Sequence, residues 1–285
     1  MGEYTRWQIG DVRITKVPET VLHWPWKALV PDVTPELLAA TPWMSPHFVD
    51  ENGKLVLSIH ALVIESQGRT IIVDTCIGND KQRPARAFNE LNNPFLETLS
   101  DAGFATDAID TVFCTHLHVD HVGWNTRLVD GKWVPTFTKA RHLFARTEYD
   151  HWMANDESAY FGDVMGDSVR PIVESGLADF VEIDHRITDE VWLESTPGHT
   201  PGHCSVHIAS GGQHGVITGD MTHSPIQFAY PLTSTADSNR ELADKTRGEF
   251  VARYRDTPTL IIGTHFAGPT AGHLVRDGDH IRFDC

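Results

Sequence analysis

Apolar positions fall in short bursts along most of the chain, and the bursts alternate between the two-residue period of strands and the longer period of helices. The stretch 12–17 (Val-Arg-Ile-Thr-Lys-Val) predicts a first strand. Two apolar runs at 55–65 and 69–74 are joined by Ser66-Gln67-Gly68 and are rich in β-branched residues, which predicts a hairpin. A helix is predicted over 89–102, ended by Gly103, followed by a strand at 111–115. Further strands are expected near 141–145, 179–183 and 189–195, with helices near 147–155 and 163–175. Short apolar runs at 204–209, 216–219 and 260–263 complete the strands, and a helix near 237–254 separates the last two. Strands alternate with helices in both halves and no low-complexity linker divides them, so a single α/β domain over 1–285 is expected.

The segment 18–50 breaks this pattern. It gathers Trp24, Trp26 and Trp43 with Pro25, Pro31, Pro35, Pro42 and Pro46. It predicts a mostly irregular N-terminal arm, with a short helix at 35–40 that Thr34 can cap and Pro35 can open. Long irregular segments of compact domains generally serve a site or an interface.

Composition narrows the function. Apolar residues make up 40% of the 285 and charged residues 22%, an ordinary globular balance. The net charge of −16 argues against a phosphate-backbone binder and against a basic membrane-surface protein, so no nucleic-acid or membrane partner is expected. Cys76, Cys114, Cys204 and Cys285 are far apart and form no CxxC pair, which argues against a disulfide framework or a thiolate zinc site. Reduced thiols, and an N-terminus without the apolar stretch of a secretory signal, fit a cytoplasmic protein. Apolar runs such as 59–64 are far too short to span a membrane. Histidine is the outlier: 17 of 285 residues, an excess that directs attention to metal chemistry.

The segment 114–123 reads Cys-Thr-His-Leu-His-Val-Asp-His-Val-Gly and follows an apolar strand. At an extended strand end His116 and His118 point to one side, and where the chain turns Asp120 and His121 can approach the same region. Four ligand-type side chains in six positions can serve two adjacent cations, and imidazole with carboxylate suits Zn²⁺, Mn²⁺ or Fe²⁺. One cluster cannot close two sites, so further ligands are expected at other strand ends. His199 in Pro-Gly-His-Thr-Pro-Gly-His, Asp220 after Gly219, and His265 after Gly263-Thr264 each offer one, at the edge where open α/β sheets place their sites.

In this order the HxHxDH segment, the TPGHTPGH loop, the Gly-Asp and the Gly-Thr-His resemble the metallo-β-lactamase superfamily of binuclear metallohydrolases, from about residue 55 to 266. The resemblance implies an αββα sandwich. It implies that His116, His118 and His199 hold one metal ion, that Asp120, His121 and His265 hold a second, and that Asp220 bridges them. Two divalent ions per chain are then expected, Zn²⁺ first, with Mn²⁺, Fe²⁺ and Co²⁺ also fitting. Attack by a metal-bridging hydroxide follows, with Asp120 passing a proton to the leaving group. Asp74 resembles a family position that supports the ligands by hydrogen bonding, with a turn cap as the plainer alternative. His223 stands where lactonases of the superfamily often have Tyr; an imidazole there can donate the same hydrogen bond or exchange a proton. His203 reads as a structural loop residue, and Cys76 as a small buried one. Trp24, Trp26, Phe88, Phe228 and Phe266 can line an apolar pocket or simply pack.

Only 20 residues follow His265, which disfavours glyoxalase II-like thioesterases. Acidity and the lack of an added gripping region disfavour the RNA-processing members. His118 in place of Glu disfavours flavodiiron oxidases, and Asp220 disfavours the antibiotic-hydrolysing enzymes. The lactonase-like and esterase-like branch remains, which includes acyl-homoserine lactonases and organophosphate hydrolases. The expected activity is hydrolysis of a small-molecule lactone or related carboxylic ester with an apolar acyl or aryl portion. An arylesterase or phosphotriesterase is the alternative, and a non-catalytic metal-binding scaffold is the reading from outside the enzyme class. The 18–50 arm resembles an extension that contributes to the substrate rim and to a homodimer interface.

Overall fold

The computed structural model describes residues 4–155 and 158–285. Among them two mixed sheets lie face to face. The first holds seven strands in the order Arg6–Ile9, Val12–Trp24, Leu55–Ser66, Arg69–Val73, Thr111–Phe113, Arg141–Ala145 and Ala178–Val181. Its first four strands are antiparallel neighbours, and the rest are added in parallel. The second holds six: Val191–Ser195, Cys204–Ser210, Gln213–Ile217, Leu260–Ile262, Ala271–Asp277 and His280–Asp284. There only Gln213–Ile217 and Leu260–Ile262 run parallel.

Alternation along the strands sorts the core into three layers. Ile14, Leu62, Ile64, Ile71 and Phe113 of the first sheet meet Leu193, Val206, Ile208 and Ile217 of the second. The other face of the first sheet packs Ala61, Val63, Ile72 and Val112 under Phe95 and Leu99 of the helix Phe95–Asp101. The other face of the second sheet packs Val216, Ile261 and Phe283 under Phe250 and Tyr254 of the helix Arg240–Tyr254. Helices therefore cover both outer faces, the αββα arrangement. Strand Leu55–Ser66 is buried on both sides, which is why it reads as a near-continuous apolar run.

The 18–50 segment is more regular than its composition predicts. The second strand does not stop at Val17 but continues to Trp24, and a bulge at Glu19 shifts the register between Pro18 and Thr20. The bulge hides the alternation from the sequence and aims Glu19 sideways, where it accepts from Ile77 N, Gly78 N and the Trp124 indole. Beyond the strand come short helices, Trp26–Leu29 and Pro35–Ala40, and a turn at Pro42–Met44. Thr34 does cap the second of these through the Leu37 N–H.

Other boundaries also moved. The helix expected over 89–102 occupies Phe95–Asp101, opening after Pro94. The expected helix over 163–175 is a π-helical turn, Met165–Val169, followed by Arg170–Glu174, because Pro171 cannot donate the bond that would continue one helix. Two hairpins had no counterpart in the sequence reading: Thr126–Val129 with Lys132–Pro135, and Ala271–Asp277 with His280–Asp284. No helix among the described residues is long and apolar enough to cross a membrane.

Candidate metal centre

The site lies along one edge of the paired sheets, where chain leaves the strands. Thr111–Phe113 feeds the 114–121 loop, Gln213–Ile217 feeds Asp220, and Leu260–Ile262 feeds His265. Strand Val191–Ser195 of the second sheet feeds His199. The seven side chains expected to be ligands meet there as two groups. His116, His118, His199 and Asp220 form one and Asp120, His121 and His265 the other, with the ligand atoms in each group within 4.8 Å of one another.

Hydrogen bonds on the outer side of the imidazoles decide which nitrogen faces inward. His121 Nδ1 is 2.9 Å from Asp74 Oδ2, His199 Nδ1 is 3.2 Å from Asp237 Oδ1, and His265 Nδ1 is 3.3 Å from the Ser58 carbonyl. In the neutral form with Nδ1–H donating outward, each of these rings can present a bare Nε2 to the centre. His116 Nε2 and His199 Nε2 both lie 2.9 Å from His118 Nδ1. A single ring nitrogen cannot satisfy two such neighbours by hydrogen bonding when all three rings are neutral.

Asp220 stands between the groups. Its Oδ2 is 3.8 Å from His116 Nε2, 3.6 Å from His199 Nε2 and 3.3 Å from His121 Nε2, and its Oδ1 is 3.0 Å from His265 Nε2. His121 Nε2 and Asp220 Oδ1 are buried without a hydrogen-bond partner. Inward lone pairs, a central carboxylate and orphaned buried atoms are what divalent cations satisfy, so the residues present fit a pair of them.

Electrostatics separates the groups. Burial, reinforced by neighbouring imidazoles, pushes the His116 and His118 pKa values well below the ordinary 6.5. Burial acts the same way on His121 and His265, but Asp220 outweighs it, joined by Asp74 and Asp120 at His121 and by Asp120 at His265, so both are raised. Burial also works against charge on Asp220, yet His121, His265 and His223 hold its carboxyl well below the usual range.

The supporting residues are mostly buried. Asp74, at φ +58 just past Arg69–Val73, accepts from Thr115 N at 2.7 Å and Thr115 Oγ1 at 3.0 Å besides contacting His121. His203 accepts the Asp220 N–H at 2.9 Å through Nε2, while its Nδ1 faces Thr196 Oγ1 at 2.8 Å. Gly219 has φ +55, and a Cβ on it would overlap His203 Nε2, so only glycine lets this support come so near. His223 Nε2 lies 3.1 Å from Asp220 Oδ2, and its Nδ1 has no partner.

Sequence reasoning did not find Asp237 and Arg247. Asp237 Oδ2 accepts from Arg247 Nη2 at 3.1 Å, and Arg247, buried in helix Arg240–Tyr254, also donates to the Met221 carbonyl at 2.9 Å. The residues that need this pair are 38 and 26 positions away, so no local spacing announces it.

A cleft of about 540 Å³ opens over the centre. Leu22, Trp24, Leu29, Leu57, Ile59 and Phe88 form its apolar wall, with Trp24 and Phe88 stacked at 5.9 Å. Thr200, Asp237, Ser238 and His223 add polar lining, and Trp152, Tyr160 and Phe161 add aromatic lining. Trp26, Phe228 and Phe266 belong to the core instead. His151 and His223 line the cleft, unlike the other histidines outside the two groups.

This is the fold of a metallohydrolase, with two groups of side chains at the sheet edge that could hold metal ions. A family model of the metallo-beta-lactamase superfamily matches residues 55–279, and the chain belongs to that superfamily. An N-acyl homoserine lactonase of Bacillus thuringiensis is 25% identical over 190 residues, 62% of this chain and 69% of the relative. N-acyl homoserine lactonase AiiB of Agrobacterium fabrum is 28% identical over 101 residues, 30% of this chain and 36% of the relative. Among solved structures, the hydrolase AbOPH in the beta lactamase superfamily superposes with a TM-score of 0.81 at 24% identity, over 100% of this chain and 97% of that one. AidC, a dizinc quorum-quenching lactonase solved with a product, superposes with a TM-score of 0.79 at 18% identity, over 98% and 96%. These two likenesses speak to the fold.

Proposed function

We propose that this chain hydrolyses a lactone or related carboxylic ester with an apolar acyl or aryl portion. In this reading His116, His118 and His199 hold one divalent cation, Asp120, His121 and His265 hold a second, and Asp220 contacts both. The observation that supports it best is that Asp220, lining a largely apolar cleft, approaches imidazoles of both ligand groups. A pair of divalent cations supplies a solvent molecule acidified toward neutral pH and Lewis acidity for a carbonyl oxygen. Zn²⁺ heads the ions that suit this donor set. The relatives' substrates, N-acyl homoserine lactones, join an acyl chain to a polar ring, and the cleft offers both apolar and polar lining residues.

The chain's own residues do the rest. The apolar wall binds the acyl portion and excludes water from it. Asp120, 15% exposed on its side chain, lies 3.6 Å from both His121 Nε2 and His265 Nε2 and borders the cleft, where its carboxylate would take the proton released by the attacking solvent molecule and pass it to the departing alkoxide. His223, whose ring lines the cleft, keeps Nε2 3.1 Å from Asp220 Oδ2, where it can exchange a proton with that carboxylate. The Trp24–Phe88 stack and Trp152 favour an aryl ester or aryl phosphotriester as the second reading. A homodimer, with the 18–50 arm at its interface, belongs to the same proposal and is read by light scattering.

The deciding experiment is a panel on the metal-loaded protein: short and long acyl lactones, aryl esters, a phosphotriester and a β-lactam. Preference for lactones in kcat/KM is expected. Preference for the phosphotriester by orders of magnitude transfers the assignment to the second reading, and bound metal without turnover on any member favours a scaffold. Replacing His223 by Phe is expected to lower kcat on the best substrate by about 100-fold, the lower end for a proton-transfer group. An unchanged kcat removes His223 from the reaction.

A further inference from the structure

Glu148 is a buried acid that the proposed reaction does not use. It stands in the first turn of the helix Arg146–Ala154, directly after strand Arg141–Ala145, and so reaches the sheet edge where the ligands gather. It is 1% exposed. Its Oε1 accepts from the Leu117 backbone N–H at 3.2 Å and from the Trp152 indole N–H at 2.7 Å, and its Oε2 accepts from the Gly202 N–H at 3.0 Å. Leu117 lies between His116 and His118, and Gly202 lies three residues after His199. The first loop leaves the first sheet and the second joins two strands of the other. A single carboxyl group therefore ties together the two loops that carry the three histidines of the first ligand group.

Two further contacts tighten the arrangement. The Trp152 ring that donates to Glu148 meets the His118 ring edge-on, with centroids 5.3 Å apart. A Cβ on Gly202 would overlap the backbone nitrogen and Cα of Glu148, so the second glycine of the TPGHTPGH loop is there to let the helix approach. At their base the loops share one backbone bond, Cys204 N to the Thr115 carbonyl at 3.0 Å. Glu148 adds the link farther out, closer to the ligands. Burying an acid costs free energy unless its oxygens are filled, and here each oxygen takes at least one N–H.

We propose that Glu148 is a positioning residue for one cation site. It sets the separation of His116 and His118 from His199, and so the affinity of that group, while touching none of Asp120, His121 and His265. The proposal rests on reading the seven side chains as a two-cation centre.

The test uses the full chain, freed of metal with a chelator and titrated with Co²⁺ against a competing metal-binding dye. Glu148→Gln keeps the shape but sets an NH₂ against one of the N–H donors. Gly202→Ala wedges the loop away from the helix. Trp152→Phe removes one donor and leaves the other two. Wild type is expected to take two ions. Glu148→Gln and Gly202→Ala are each expected to keep one ion and bind the other about 10–100-fold more weakly. The visible absorption of the weakened ion shifts, and kcat recovers when Co²⁺ is raised, which a general loss of structure would not permit. Trp152→Phe gives the same one-sided weakening on a smaller scale, which keeps the test open if a stronger variant fails to fold.

Two ions of unchanged affinity and spectrum in the folded variants overturn the proposal, and so does equal weakening of both. Wild type that takes no Co²⁺ sinks the two-cation reading instead, so the two failures are distinct.

Discussion

The two ligand groups differ in what holds them. His116, His118, His199 and Asp220 are all buried, whereas the other group contains the half-buried Asp120, and members of both groups line the cleft. His121 is braced by Asp74, which sits one residue past a strand and is itself pinned by Thr115 on the neighbouring strand end. That support is built within one sheet. His199 is braced by Asp237, which depends on Arg247 in a helix from the far outer layer. That support exists only after the helix has docked. Both groups border the same cleft, so the contrast lies in the bracing: local for His121 and long-range for His199.

Asp220→Ala is the largest expected effect, because the groups share that residue. Loss of both ions by elemental analysis and activity lowered by at least about 1,000-fold are expected, given what a metal centre contributes to water activation. Retention of both ions at full rate would show that the groups are independent. Asp74→Asn and Asp237→Asn then compare the braces. Each is expected to weaken one ion by about 10–100-fold in a chelator competition, the usual cost of losing a ligand's hydrogen-bond partner. The weakened ion should differ between the two variants, and Asp74→Asn should be the more severe because Asp74 also holds Thr115. If the same ion weakens in both, the contrast between local and long-range bracing is wrong.

The smallest effect serves as a control away from both groups. Lys81 is fully buried, donating to Thr126 Oγ1 at 2.6 Å and to the Asp167 carbonyl at 3.1 Å, with Trp133 beneath its ammonium. Burial, opposed by Asp167, pushes its pKa down to about 7 from 10.5. Between those values the folded chain holds fewer protons than the unfolded one, so stability from this group is lowest below pH 7 and grows as the pH rises toward 10.5. Lys81→Met should flatten that rise in thermal midpoint against pH and leave both ion affinities alone. A pH slope identical to wild type would show that Lys81 stays charged.

Much of the candidate centre was legible as sequence because its candidate ligands cluster. His116, His118, Asp120 and His121 fall in six positions, and His199, Asp220 and His265 each follow an apolar strand with a glycine close by. The two halves of the sandwich were legible as alternating strands and helices. The continuation of the second strand to Trp24 was not, because the bulge at Glu19 breaks the alternation that would announce it. The last hairpin was missed because Ala271–Asp277 is exposed toward its end and lacks a continuous apolar side. Glu148, Asp237 and Arg247 left no mark, being ordinary charged residues in helical or loop segments.

The sequence by itself determined which side chains can grip cations and where each leaves its strand, since both follow from side-chain chemistry and from periodicities read within a few residues. Only the tertiary structure decided which imidazole nitrogen turns inward, how Asp220 comes to lie between two groups, and which acids brace them. Those outcomes depend on contacts between segments tens to hundreds of residues apart, and burial against a partner, rather than spacing along the chain, fixes their geometry.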